Sequence, residues 1–159
     1  MLILITINDD ATEMTIDPRE TLADVLRERA RLTGTHIGCR TASCGACTVD
    51  LDGLTVKSCC VLAAEANGRS VRTLDVDQTQ PNLDDVQTAF VECQAMQCGY
   101  CTPGMIMSAR HLLRVNPQPN DAEIRRGIAG NLCRCTGYVN IVKAIERVRD
   151  TRLSAAGSE

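Results

Sequence analysis

The stretch CRTASCGAC, residues 39–47, sets three cysteines within nine positions, and Cys59 completes the spacing C-x4-C-x2-C-x11-C. No other feature constrains the fold as strongly, because the composition offers little else to build a core from: one Phe, two Tyr and no Trp in 159 residues. A core of Leu, Ile, Val and Ala is modest, and the ten cysteines are the candidates for what else holds the chain together. The residues between the first three, RTAS and GA, are mostly short, so the backbone can curl around a central group and aim its N–H groups at sulfur.

Three readings compete for this set. A disulfide framework gives no reason for the spacing. Structural zinc prefers paired two-residue gaps, and the four-residue gap is unusual there. The spacing of Cys39, Cys44 and Cys47 is that of plant-type ferredoxins, which hold a [2Fe-2S] cluster. A second set, Cys98 and Cys101 in QCGYC with Cys133 and Cys135 in LCRC, precedes two expected helices. Helix N-termini carry unpaired N–H groups and partial positive charge, which suit a group bearing four thiolates. Alone, this second pattern fits zinc as readily as iron.

The remaining chain divides near residue 80. In the first half LILITI reads as a buried strand, ATEMTID alternates, and VDLDGLTV places Asp52-Gly53 as a two-residue hairpin turn. ETLADVLRERARL puts Leu22, Val25, Leu26 and Arg29 at helical spacing, with Thr21 and Asp24 as a capping pair, and SVRTL adds a strand. A mixed sheet under one helix follows. DVDQTQPN, residues 75–82 with Pro81, reads as a linker. Four helices then follow: LDDVQTAFVECQAM, TPGMIMSARHLLRV with Thr102 as cap and Pro103 first, DAEIRRGIAG capped by Asn120 with Glu123, and YVNIVKAIERVRDTRL. The expected domains are 1–76 and 83–153, and the tail SAAGSE reads as frayed.

A net charge of −3 with scattered Lys and Arg argues against nucleic acid as the main partner. MLILITINDD lacks the basic start and cleavage site of a signal peptide, and no run reaches membrane-span length. A cytoplasmic location is the expectation, where clustered cysteines hold metal more often than disulfides.

The motifs GCRTASCGACTVDLDG, QCGYCTPGMIM and GNLCRCTGYVNIVKAI, in this order, resemble the iron-sulfur small subunits of molybdenum hydroxylases, the xanthine oxidase family. LTGTHIGC and LDGLTVKSC are especially similar to those of aerobic carbon monoxide dehydrogenase and bacterial N-heterocycle hydroxylases. The resemblance implies an α+β chain: an N-terminal β-grasp, ferredoxin-like domain with a [2Fe-2S] cluster on Cys39, Cys44, Cys47 and Cys59, then a small four-helix domain with a second on Cys98, Cys101, Cys133 and Cys135. It further implies a molybdenum-binding large subunit whose molybdopterin cytosine dinucleotide lies near Gln97 and Cys135, a flavin-binding (FAD) medium subunit, and a dimer of heterotrimers. Electrons would run from molybdenum through the helical-domain cluster and then the ferredoxin-like cluster to flavin. Arg40 sits between the first two ligands, where an acidic or neutral residue is at least as usual in such relatives, and a cation at that place would raise the cluster potential.

Cys60 and Cys93 exceed the eight cysteines needed and read as small buried hydrophobes, with Cys60, next to Cys59, the alternative to it as fourth ligand. His36 and His111 are isolated and read as structural or surface residues, and Met105–Met107 as core. No acid-base constellation or nucleotide loop accompanies the cysteines, so substrate chemistry belongs to another subunit. A freestanding two-cluster ferredoxin is the alternative, distinguished by a polar surface all round; a zinc-stabilised interaction module is the third reading.

Overall fold

The computed structural model describes residues 1–75 and 83–157, so most of the expected linker, Pro81 included, the domain limit at residue 76 and the last two residues of the tail lie outside the described residues. Strands β1 (Leu2–Ile7) and β2 (Asp10–Thr15) pair antiparallel around Asn8 and Asp9, both left-handed at φ 48° and 75°. Asn and Asp tolerate that conformation and so close a two-residue turn. Thr21 caps α1 (Leu22–Asp24), its hydroxyl accepting from the Asp24 N–H, and the helix continues as a π-helical turn over Val25–Arg29. β3 (Thr48–Leu51) and β4 (Leu54–Lys57) form the expected hairpin, with Asp52 and Gly53 at φ 50° and 85°. β5 (Ser70–Arg72) lies parallel to β1 and antiparallel to β3, giving the sheet order β2-β1-β5-β3-β4.

One face of this sheet is covered by Leu22, Val25 and Leu26, which pack on Ile3, Ile5, Ile7, Val49, Leu51 and Val71. β1 is therefore not the fully buried strand that LILITI predicts: Leu2 and Leu4 face outward, because in a pleated strand alternate residues take opposite sides. β3 departs the other way. All four of its residues are buried, since the helical half packs on its far side.

That half comprises α2 (Asp85–Glu92), α3 (Thr102–Val115), α4 (Asp121–Gly127) and α5 (Val139–Ala156). Phe90, Met105, Ile124, Ile141 and Ile145 fill its core. Asn120 and Glu123 form the expected capping box of α4. At α3 the expectation is one residue late: Cys101 is the cap, Thr102 is the first helical residue, and Pro103 occupies the first turn, where its missing N–H has no bond to lose. Ser154, Ala155 and Ala156 are not frayed but continue α5. No helix among the described residues is long and apolar enough to cross a membrane.

Candidate metal centres

The first set is assembled by a loop and a hairpin. In the loop, Arg40, Ala42 and Gly45 are left-handed at φ 56°, 61° and 75°. Residues of this hand among right-handed neighbours turn successive N–H groups toward one side. The N–H groups of Thr41 and Cys44 both lie 3.4 Å from Cys39 Sγ. Bonds from Thr41 and then from Cys44 bring the Cys39 thiol down to about 6, so it is poised as a thiolate. Cys47 enters β3 and Cys59 follows β4; the register Thr48↔Lys57 sets them side by side, with the Ser58 N–H and hydroxyl both donating to the Cys47 carbonyl. Cys47 and Cys59 are buried with Ala23, and burial pushes the Cys47 thiol up to about 11.

The second set stands at two helix starts. Cys101 caps α3, and Cys133 and Cys135 lie in the turn before α5, whose cap Tyr138 is left-handed at φ 67°. Cys135 Sγ donates to Cys98 Sγ at 3.5 Å. Tyr138 Oη accepts from the Cys133 N–H at 2.9 Å and fixes the turn. Burial pushes Cys101 up to about 12. Burial also raises Cys133, but the Thr136 hydroxyl, 3.1 Å from its sulfur, and the Thr136 N–H outweigh that and leave it below its ordinary value.

The two sets meet. The Leu132 N–H donates to the Cys44 carbonyl at 2.8 Å, and a cavity of about 170 Å³ is lined by Cys44 together with Cys98, Cys101, Cys133 and Cys135. Asn131, buried, holds this seam: its amide donates to the Gly45 carbonyl at 3.0 Å, and its oxygen accepts from Ser108 at 2.8 Å and Lys57 at 3.3 Å. His36 stacks on Tyr100, ring centroids 5.0 Å apart, while Tyr100 Oη donates to the Ile37 carbonyl at 2.7 Å. His111 stands apart, against Arg114. Sequence reasoning missed Asn131 and Tyr100 as linking residues; each sits inside a cysteine motif, GNLC and CGYC, which is the signal that was available.

All ten cysteines are free thiols. Cys93 is half-buried against the helical core, as a spare hydrophobe should be. Cys60 is not: it is exposed, with Sγ 3.7 Å from Cys59 Sγ. Gln97 is exposed beside Cys98 and borders an open depression of about 420 Å³ with Val91, Gln94, Met96 and Asn140. Among the described residues no three His, Cys, Asp or Glu side chains converge on a single-ion position. The fit of each set to a two-iron group rests on its donors: four free thiols, with backbone N–H groups aimed at sulfur.

Two family models match the chain in succession. Residues 5–71 match the family model of the 2Fe-2S iron-sulfur cluster binding domain, and residues 73–146 that of the [2Fe-2S] binding domain. Caffeine dehydrogenase subunit gamma of Pseudomonas sp. (strain CBB1) is 45% identical over 161 aligned positions, covering 99% of this chain and 96% of its own length. Nicotine 6-hydroxylase small subunit of Paenarthrobacter nicotinovorans is 47% identical, covering 89% and 85%. The crystal structure of quinoline 2-oxidoreductase from Pseudomonas putida 86 superposes with a TM-score of 0.91 at 43% identity, covering 95% of this chain and 94% of that one. With both cluster-binding domains in order and relatives matched along nearly their full length, the chain belongs to the iron-sulfur small subunits of the molybdenum hydroxylases, which carry electrons on two [2Fe-2S] clusters beside a larger partner subunit and perform no substrate chemistry themselves.

Proposed function

We propose that Cys39, Cys44, Cys47 and Cys59 hold one cluster within domain 1–76, that Cys98, Cys101, Cys133 and Cys135 hold the other within domain 83–153, and that the chain relays electrons from a molybdenum-binding large subunit to a flavin-binding medium subunit. The observation that carries this reading is the shared seam: the Leu132 N–H to Cys44 carbonyl bond joins the two sets through one hydrogen bond and a few covalent links. When bound, each cluster supplies a one-electron store. The chain's own residues place four sulfurs in each set, aim N–H groups at Cys39 and Cys133, and join the two sets through Asn131 and Tyr100.

The exposed thiols of Cys98 and Cys135 mark the side toward the large subunit. Tyr100 and Leu132 line the same cavity and are half or more exposed, and Val91 borders the Gln97 depression in the same state. Apolar surface around a redox site favours a fixed subunit over a freestanding ferredoxin. Gln97 and Cys135 are proposed to contact a molybdopterin cytosine dinucleotide there. The relatives above are named for caffeine, nicotine and quinoline, and we extend that class, aromatic N-heterocycles, to the complex this chain serves. A cytoplasmic dimer of heterotrimers is the proposed assembly.

Iron and acid-labile sulfide analysis after anaerobic purification should give about four of each per chain, and zinc in their place would overturn the assignment. Untagged purification from native cells should bring the large subunit with the chain. In that complex Gln97→Ala should slow substrate-driven reduction of the helical-domain cluster by about tenfold or more, the scale of losing one polar contact of ~1.4 kcal/mol, with both clusters still reducible by dithionite. Unchanged substrate-driven reduction would remove Gln97 from the role given it.

A further inference from the structure

Arg40 follows Cys39 directly, and its guanidinium turns back across the loop onto the helix that covers the sheet. It makes a two-pronged pair with Asp24: Nη2 to Oδ1 at 2.8 Å and Nη1 to Oδ2 at 3.1 Å. Asp24 is itself anchored, since Thr21 Oγ1 donates to its carboxylate at 2.7 Å and accepts its N–H at 3.2 Å. Arg40 holds the Asp24 carboxyl below the usual carboxylate range, so the pair is ionised. Ala23, one residue earlier, is buried against Cys47 and Cys59, and Arg40 lies within electrostatic reach of Cys59. The Asp24 carboxylate thus sits, through two hydrogen bonds, against the one guanidinium that follows Cys39 and lies near Cys59, although the two residues are 16 positions apart in sequence.

Reduction adds one negative charge to a four-thiolate centre, so a neighbouring cation favours the reduced form and a neighbouring anion the oxidised one. Arg40 alone would raise the potential; with Asp24 in place, most of its field is cancelled. We propose that Asp24 and Arg40 form a charge-compensated pair that sets the reduction potential of the ferredoxin-like cluster, the Asp24 carboxylate offsetting the Arg40 cation. The inference rests on the assignment of Cys39, Cys44, Cys47 and Cys59 as that cluster's ligands. A merely structural role makes a different forecast. If the pair only held the loop, breaking it from either side would loosen the same N–H bonds to Cys39 and move the potential in one direction.

The test is a potentiometric titration of the full chain loaded with iron and sulfide, read by electron paramagnetic resonance, with the first cluster identified as the signal lost in Cys44→Ala. Both side chains are partly exposed, Arg40 by 58% and Asp24 by 26%, so solvent screens them and the effect is moderate. Asp24→Asn should raise the reduced-to-oxidised ratio at fixed ambient potential about threefold, or about 28 mV at the ~59 mV per tenfold of a one-electron couple. Arg40→Gln should lower it by a similar factor, Arg40→Lys should leave it near the original value, and the double variant Asp24→Asn with Arg40→Gln should return toward it. Molar salt should shrink both single shifts. Shifts of the same sign in the two single variants, or none in either, overturn the proposal. If Arg40→Gln fails to take up the cluster, the upward shift in Asp24→Asn decides alone, and its absence is fatal to the idea. Retention of every signal in Cys44→Ala would instead sink the ligand assignment.

Discussion

Cys59→Ala is expected to abolish the ferredoxin-like cluster, whereas Cys60→Ala leaves it in place. The two thiols are adjacent in sequence and their sulfurs lie 3.7 Å apart, so proximity does not separate them. Burial and orientation do. Cys59 is enclosed with Cys47 and Ala23 behind the β3-β4 hairpin, while Cys60 is exposed and turned toward the Arg40 carbonyl, with 3.9 Å between Sγ and oxygen. The neighbouring Cys59 raises the Cys60 thiol above its ordinary value, which disfavours its thiolate. In Cys59→Ala the iron content should fall from about four to about two per chain, with the helical-domain signal intact. Full iron content with an altered spectrum would show Cys60 taking over as ligand, and loss of iron in Cys60→Ala instead would reverse the assignment.

What the sequence disclosed, and what it hid, follow from how local each signal is. The Asp52-Gly53 turn and the Asn120–Glu123 box are written within a few residues, and each appears in the structure where expected. The Asn8-Asp9 turn is equally local but carries no glycine, so it does not stand out. The burial of β3 on both faces is not local at all: it depends on α3, more than 50 residues later, with Arg114 reaching Asp50 at 2.9 Å. Arg40 shows the same limit. Its position between two cysteines is visible in the sequence and points to a raised potential, but the carboxylate that offsets it lies on another element and only the fold brings it there. Asn131 and Tyr100 sit among the cysteines and are overshadowed by them, although they hold the two sets together.

Gly104→Ala makes that seam testable through the sign of one substitution. Gly104 is the third residue of α3, with no left-handed backbone to accommodate, and by helix propensity alone alanine there should stabilise by ~1 kcal/mol. The tertiary structure demands the reverse. A methyl group at Gly104 would stand 2.0 Å from the Gly45 carbonyl oxygen and 3.0 Å from the Asn131 amide nitrogen. Gly45 cannot retreat, because it is left-handed, and its own position lies against the backbone of Gly130 and Asn131. The main clash is therefore of the new methyl on the Gly45 backbone, which cannot swing aside as a flexible side chain would, and the cost should exceed the propensity gain by ~3 kcal/mol or more. Denaturant unfolding of the loaded chain should show that loss, and electron exchange between the clusters should slow as Leu132 is drawn off the Cys44 carbonyl. Gly68→Ala is the contrasting case: its φ of 75° is strained for alanine, yet nothing lies within 4 Å, so it should cost only ~1 kcal/mol and leave cluster-to-cluster exchange unchanged. If Gly104→Ala instead proved as stable as the original chain, the close approach of α3 to the cysteine loop would be wrong, and with it the short link between the two metal centres.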